Sequence, residues 1–411
     1  MKKVFAHKIV AAIDIGTTKI CVLIGNKLAD GQVEIIGMGK VPSDGLKKGV
    51  VVDIARTVRS IRAAVKEAEL MAGVAVESAV IGIAGAHIQS RNAYGAVPIE
   101  KGAVSQEDIA AVIAAARAVP LKEGQQILHV LPQFFSIDGS DRIQDPLGMH
   151  GIRLEAQVHM VTGSVTSVQD LVVCCERAGV KVQDVVLEQL ASAQAVLNDD
   201  ERELGVGLID IGGGTSDVAL YQQGSIRHTM VLAIAGNHFT NDLAMGLRIT
   251  VADAQRVKQE YGLVTFDVLQ EEEIFEVEMV QGGTKTMLTT TQLIEILEPR
   301  AQELFSLIHE DILARGMEPL LVSGLVITGG GALLEGMDAV ASHIFGVPVR
   351  VGKPHLLHED PAILDNPMYA TGYGLLLHAT KKLYGTGIFS TEESNVSRLL
   401  LRMKSWVSDF F

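Results

Sequence analysis

Cysteine is scarce in this chain: Cys21, Cys174 and Cys175 are the whole complement. An odd number without a CxxC pair excludes a disulfide framework and fits buried thiols in a reducing compartment. Aromatic residues are few, at 4% with one tryptophan, whereas apolar residues reach 48%, so the core must be large and aliphatic. No uninterrupted apolar run approaches the roughly 18 residues of a membrane span. Positive charge is in deficit, with a formal net charge of −14. That balance argues against a broad basic face, and no nucleic-acid partner is expected. Neither a Walker A loop nor a GxGxxG turn occurs. The N-terminal "MKKVFAHKIVAAIDIG" opens like a signal peptide, with Lys2 and Lys3 before an apolar run. His7 and Lys8 interrupt that run and Asp14 follows at once, so a first strand is expected instead of a leader.

What the chain does have is repetition. "VAAIDIGTTKICVLIG" (Val10–Gly25) and "VGLIDIGGGTSDVALY" (Val206–Tyr221) share one pattern about 200 residues apart. Each is an apolar strand, then Asp-Ile-Gly, a small-residue turn and a second apolar strand. A third glycine cluster, "LVITGGGALLEGM" (Leu325–Met337), also follows an apolar strand. Glycine at such turns lets the backbone approach a ligand, and successive N–H groups form an anion-binding concavity. Thr17, Thr18, Thr215 and Ser216 add hydroxyls, and Asp14 and Asp210 sit at the two strand ends. A carboxylate beside a phosphate-binding turn repels the anion unless a cation lies between them, and Mg²⁺ held through water is the ordinary solution. Two such hairpins facing each other would grip a polyphosphate from both sides.

These motifs resemble the actin, sugar-kinase and heat-shock chaperone ATPase superfamily. "DIGTTK" is similar to its first phosphate loop, "DIGGGTSD" to its second and "ITGGGALLEGM" to its adenosine loop. "VVLEQLASAQAVL" (Val185–Leu197) resembles the first connecting helix, and "YATGYGLLLHAT" (Tyr369–Thr380) the second, with Ala370-Thr371-Gly372 allowing a close helix crossing. The resemblance implies an α/β actin-like ATPase fold, two duplicated halves around a nucleotide cleft. It implies ATP and Mg²⁺, with Gly16, Thr17, Thr18 and Lys19 on one phosphate side and Gly212, Gly213, Gly214 and Thr215 on the other. Gly329, Gly330 and Gly331 would let the purine lie against backbone. Gly236, Asn237 and Lys258, with Glu260 as a further contact, join on the same ground, although Lys258 and Glu260 equally suit a solvated helix face. Glu188 matches the glutamate that positions the attacking water, and Asp14 and Asp210 would hold Mg²⁺ through water. These groups suffice for phosphoryl transfer, which asks mainly for positioning and charge neutralisation. ATP is expected to act as a conformational and polymerisation ligand, with at most weak hydrolysis.

Along the chain, Asp53 to Gly73 reads as an amphipathic helix with Ile54, Val58, Ile61, Val65 and Leu70 at helical spacing. "SQEDIAAVIAAARAV" (Ser105–Val119) has a capping-box-like start, and strand-like "QQILHVLPQFFSID" and "AQVHMVTG" flank "DPLGMHGIRLE". The last segment and the small α/β unit around it resemble the FtsA family of bacterial cell-division actin homologues, whose subdomain 1C stands here. The implied organisation is 1–84 for the first part of subdomain 1A, 85–162 for 1C and 163–203 for the return of 1A with its connecting helix. Residues 204–262 would form 2A, 263–320 subdomain 2B, 321–383 the return of 2A and closing helix, 384–395 a linker and 396–411 a terminal helix. In that family 2B is similar to the part that binds the FtsZ C-terminal tail, and here Glu295, Arg300 and Glu303 mark the corresponding helix face. The 85–162 unit would meet other division proteins, and the chain itself would form filaments.

"VSRLLLRMKSWVSDFF" (Val396–Phe411) follows the polar stretch "KKLYGTGIFSTEESN". Leu399, Leu400, Met403, Trp406, Val407, Phe410 and Phe411 fall on one helical stripe. Arg398 and Arg402 lie opposite, with Lys404 near the edge and Asp409 as the one acid. Such a segment suits an interfacial helix on anionic lipid, and the family resemblance implies the inner face of the cytoplasmic membrane. The rivals are a sugar-type or acetate-type kinase and a PilM-like pilus assembly ATPase; neither accounts for this tail.

Overall fold

The structure, a computed structural model, describes residues 8–28, 31–280, 284–357 and 361–382. The tail call on 396–411 and the linker call on 384–395 lie outside the described residues.

Two five-stranded sheets share one topology. The first runs Lys181–Leu187, Ser78–Ile83, Lys8–Ile15, Lys19–Lys27, Val33–Pro42. The second runs Val349–Val351, Leu325–Thr328, Val206–Ile211, Ser216–Gln222, Ser225–Leu232. In each, a three-stranded antiparallel meander is extended by parallel strands beside its first member. The expected duplication is therefore physical. Asp14 stands opposite Cys21 in one hairpin, and Asp210 stands opposite Asp217 at the same register in the other. The central strands are buried almost throughout, which is why they read as continuous apolar runs instead of alternating ones.

Helices Ile54–Ala72 and Val165–Ala178 cover the outer face of the first sheet. The first of these is held by Asp53, whose carboxylate accepts from the Arg56 N–H at 3.0 Å, and is ended by Gly73 at φ 69°. Its packed face is not quite the expected one. Leu70 is 76% exposed, and the close contacts are made by Ala64, Ala68 and Ala72 over Gly37 and Gly39. A Cβ on Gly37 would come within 2.6 Å of both Ala68 O and Ala72 Cβ, so small residues, not large ones, bring this helix onto the sheet.

Helices Glu188–Val196 and Ala370–Lys382 lie between the two sheets and bind both into one core, with Ala191, Leu375 and Leu376 meeting Leu23, Val80, Leu208 and Val326. The close crossing falls at Gly374, where any Cβ would overlap the backbone of Ala191. Ala370, Thr371 and Gly372 form the helix's first turn instead of the crossing itself, which corrects the sequence expectation. The three cysteines are buried and free.

Between the halves of the first unit stands a separate four-stranded sheet, ordered Gln89–Pro98, Arg153–Ser164, Gln125–Ile137, Ser140–Ile143. Helix Gln106–Arg117 packs on it through Val112, Ile113 and Ala116. Ser105 and Asp108 form the anticipated capping box. This sheet docks on the edge strand of the second half through polar groups: His159 Nε2 to Thr229 Oγ1 at 2.9 Å, and Gln133 Nε2 donating to Ile226 O at 2.8 Å. The second half carries its own insertion, a hairpin Ile274–Glu278/Lys285–Thr289 and the long helix Thr290–Ala314. No helix among the described residues is long and apolar enough to cross a membrane.

Candidate functional site

The two Asp-Ile-Gly turns face each other across a cleft of about 570 Å³. Each turn is closed by the same bond: Gly16 N–H donates to Lys19 O at 3.0 Å, and Gly212 N–H to Thr215 O at 2.9 Å. The loops touch across the gap. A Cβ on Gly213 would overlap the Thr18 side chain, and one on Gly214 would overlap Thr17. Here glycine is required by the opposite loop, not by an unusual φ.

Most residues named from the sequence for the cleft line it: Asp14, Gly16, Thr17, Thr18 and Lys19 on one side; Asp210, Gly212 to Thr215, Gly236, Asn237 and Lys258 on the other; Glu188 at the base; and Gly329 to Gly331. Several do so in a different way from that expected. Gly329 (φ 82°) and Gly331 lack side chains because Asp210 and Ile211 occupy that space, and only Gly330 opens onto nothing within 4 Å. Gly236 and Asn237 donate their N–H groups to the carbonyls of Gly212 and Gly213 at 3.0 and 2.8 Å, bracing the second turn. Lys258 supports them from behind, donating to Gly236 O at 2.9 Å and Thr240 Oγ1 at 2.8 Å; burial pulls its pKa down to about 8.

Two expectations fail. Ser216 is fully buried and donates to Ile234 O at 2.7 Å, because strand alternation turns it to the core while Thr215 and Asp217 face the cleft. Glu260 pairs with Arg256 at 3.1 Å on the helix surface, and Gln255 and Gln259 take the cleft positions instead.

The electrostatics are dominated by carboxylates. Asp14 is paired with Lys19 at 2.5 Å. Burial opposes the charge on Lys19, but Asp14, then Cys21 and Asp210, together outweigh this and hold the ammonium above its ordinary range. Burial pushes Asp210 up despite hydrogen bonds from Ser192 and Thr371, the latter at 2.9 Å, and Asp14 adds to the shift. Burial and then the Asp210 carboxylate push Asp217 up to about 8, against the hydrogen bond it accepts from Thr215. Glu188, lying over the backbone of Gly82, is raised by burial and then by Asp14, Asp217 and Asp210. Four acids thus converge around one lysine, and Asp217 Oδ1 is buried without a hydrogen-bond partner. Asp217 went unread in the sequence, and Thr371 was read only as part of a helix-crossing turn. Asp217 had a signal, since it stands opposite Asp210 across the hairpin as Cys21 does opposite Asp14.

The arrangement is short of positive charge and long on backbone approach. That fits a hydrated magnesium ion with a polyphosphate: among the described residues no three Asp, Glu, His or Cys groups converge to ligate an ion directly, so contact through water is the geometry these acids permit.

The family model described as "Cell division protein FtsA" matches residues 207–374, and "SHS2 domain inserted in FTSA" matches residues 85–162. A relative from Pseudomonas aeruginosa, "Cell division protein FtsA", is 43% identical, with all of both chains covered. The chain belongs to the FtsA family. It is accordingly a cell-division actin homologue, as its motifs suggested. Among solved structures, the PilM–PilN type IV pilus biogenesis complex matches with a TM-score of 0.65 at 16% identity, covering 90% of this chain and 98% of that one. MreB5 of Spiroplasma citri bound to ADP matches with a TM-score of 0.54 at 14% identity, covering 93% and 97%. At those identities the likeness is one of fold, and it makes the fold of this FtsA-family chain actin-like.

Proposed function

We propose that the chain binds ATP with Mg²⁺ between its two halves, polymerises, and tethers the FtsZ ring to the inner face of the cytoplasmic membrane while recruiting later division proteins. The observation that carries the nucleotide reading is the pair of matched turns closing on three under-neutralised carboxyl groups, Asp210, Asp217 and Glu188. Asp14 and Asp210 would hold the ion through water, with Asp217 beside them. Magnesium, when bound, neutralises phosphate charge and supplies the cation that Lys19 alone does not. The turns at Gly16 and Gly212 present backbone to the phosphates, Gly330 leaves room for the base, and Glu188 stands where it can orient a water. A carboxyl held well above its ordinary pKa is a poor base while the cleft lacks a cation. ATP is thus expected to serve first as a conformational and polymerisation ligand, with hydrolysis weak.

The membrane reading rests on the sequence of 396–411 and on family membership. The FtsZ tail is assigned to the second half's insertion, 263–320, and other division proteins to 85–162. On the long helix, Glu295 and Glu303 are exposed, but Arg300 is engaged by Asp242 at 2.6 Å and by Glu303, so the acids are the accessible part of that face. Vesicle flotation in ATP with and without residues 396–411 tests the tether. The full chain is expected to float with anionic vesicles and the truncated chain to float much less; equal flotation would sink this reading.

A further inference from the structure

The outer helix Ile54–Ala72 carries a feature that neither the cleft nor the family match uses. Arg59, Arg62, Ala63, Lys66 and Leu70 follow one another at i, i+3, i+4, i+7 and i+11, a single stripe opposite the buried Val58, Ile61, Val65 and Ala68. The three cations are exposed on a chain whose net charge is −14. Arg56, at the helix start, is paired with Asp44 and Asp53, whereas Arg59, Arg62 and Lys66 have no ion pair among the described residues. Arg62 donates to the backbone carbonyl of Arg177 at 2.6 Å, and Arg177 is itself exposed. The acids of this helix are turned aside: Glu67 accepts from the Lys40 N–H at 3.0 Å, and Glu69 from the Val76 N–H at 2.7 Å. At the end of the stripe, Leu70 is 76% exposed and Met71 56%.

The position of that end matters. Gly37 seats Ala68 and Ala72 on the strand Val33–Pro42, whose first residue, Val33, pairs with Lys27. The Lys27 ammonium in turn donates to the carbonyl of Thr380, in the last turns of helix Ala370–Lys382. The apolar tip of the outer helix and the departure of the chain toward 396–411 therefore share one end of the first sheet. Thirteen residues, 383–395, separate the helix from Val396, a reach of at most roughly 45 Å. The stripe from Arg59 to Leu70 is about 16 Å long, shorter than that reach.

We infer that the exposed face of helix Ile54–Ala72 is a second lipid-contact surface, on which Arg59, Arg62 and Lys66 meet anionic headgroups and Leu70 and Met71 enter the interface. The inference rests on the membrane reading above. A short amphipathic tail binds reversibly, and a basic patch on the folded body is the second signal that stable, oriented attachment requires. It would also fix which side of the body faces the bilayer, which a tail on a linker cannot do.

The test uses the full chain, its Arg59→Gln/Lys66→Gln variant, and both again without 396–411. Flotation is measured on phosphatidylglycerol–phosphatidylcholine vesicles and on phosphatidylcholine alone. At roughly fivefold per lost charge, the double variant should bind anionic vesicles about twenty-five-fold more weakly, with no change on neutral ones. Unchanged affinity for anionic vesicles would overturn the inference and leave an acidic protein segment as the occupant. If the truncated chain also fails to float, that outcome removes this inference alone and spares the tail. If the truncated chain floats undiminished, the tail reading falls. A second readout does not depend on the charge variants. Met71→Cys, labelled with an environment-sensitive dye on the full chain, should shift its emission to the blue on anionic vesicles, and an unmoved spectrum overturns the proposal. The native thiols at Cys21, Cys174 and Cys175 are buried and leave that label selective.

Discussion

The two phosphate-type turns have the same backbone and opposite electrostatics. Gly16 and Gly212 close identical bonds, and Asp14 and Asp210 occupy the same register. In the first turn the following strand begins with Lys19, which neutralises Asp14 at 2.5 Å. In the second, Thr215 stands where the first has Lys19, and Asp217 adds another carboxylate where the first has Cys21. One half therefore arrives neutral and the other arrives needing a cation. A duplicated fold has been divided into a resident-lysine side and a side that waits for metal.

The largest effect should come from breaking the cation-seeking side. Asp210→Asn is expected to weaken magnesium-dependent ATP binding roughly a hundredfold, and Asp14→Asn only about tenfold, because Lys19 already satisfies Asp14. Calorimetry with and without magnesium compares them; equal losses would mean the turns are not differentiated. Next in size is Lys19→Met, which strands a buried carboxylate and should cost about 2 kcal/mol, discounted for the partial exposure of the lysine. Adding Asp14→Asn should restore most of that in a denaturant titration. Smaller again is Gly213→Ala, whose methyl meets the Thr18 side chain across the cleft. It should lower ATP affinity about fivefold, and Thr18→Ala in the same chain should recover it.

The smallest effect is one of pH. In the folded chain Asp217 titrates near 8, against an ordinary value of 3.8. The folded protein therefore keeps a proton that the unfolded chain releases above about 4. The contribution of this group to stability is full at low pH and is lost as pH rises toward 8. Asp217→Asn should flatten that part of the profile, read from denaturation midpoints across the window without nucleotide. A slope of the opposite sign, or one unchanged by the substitution, would contradict the assignment.

Much of this comparison was legible before any coordinates. The repeated Asp-Ile-Gly strands gave the duplication, because buried parallel strands write themselves as aliphatic runs and tight turns as glycine. The inserted unit showed its helix through the capping box at Ser105. What escaped notice depended on which way a side chain points. Ser216 looked like a phosphate donor until alternation turned it inward, and Asp217, one residue on, carried the chemistry instead. Leu70 looked like core because size was taken as the signal, whereas Ala64 and Ala68 over Gly37 and Gly39 set the packed face. Thr371 reaches Asp210 from 161 positions away, a contact no local pattern can announce.

The central claim is that the cleft takes ATP only with a divalent cation to offset its second half. Titrating ATP into the folded full chain by calorimetry, first in magnesium and then in EDTA, tests it most directly. Saturable heat in magnesium that disappears in EDTA is the predicted result. No uptake in magnesium, or equal uptake in both, would contradict it.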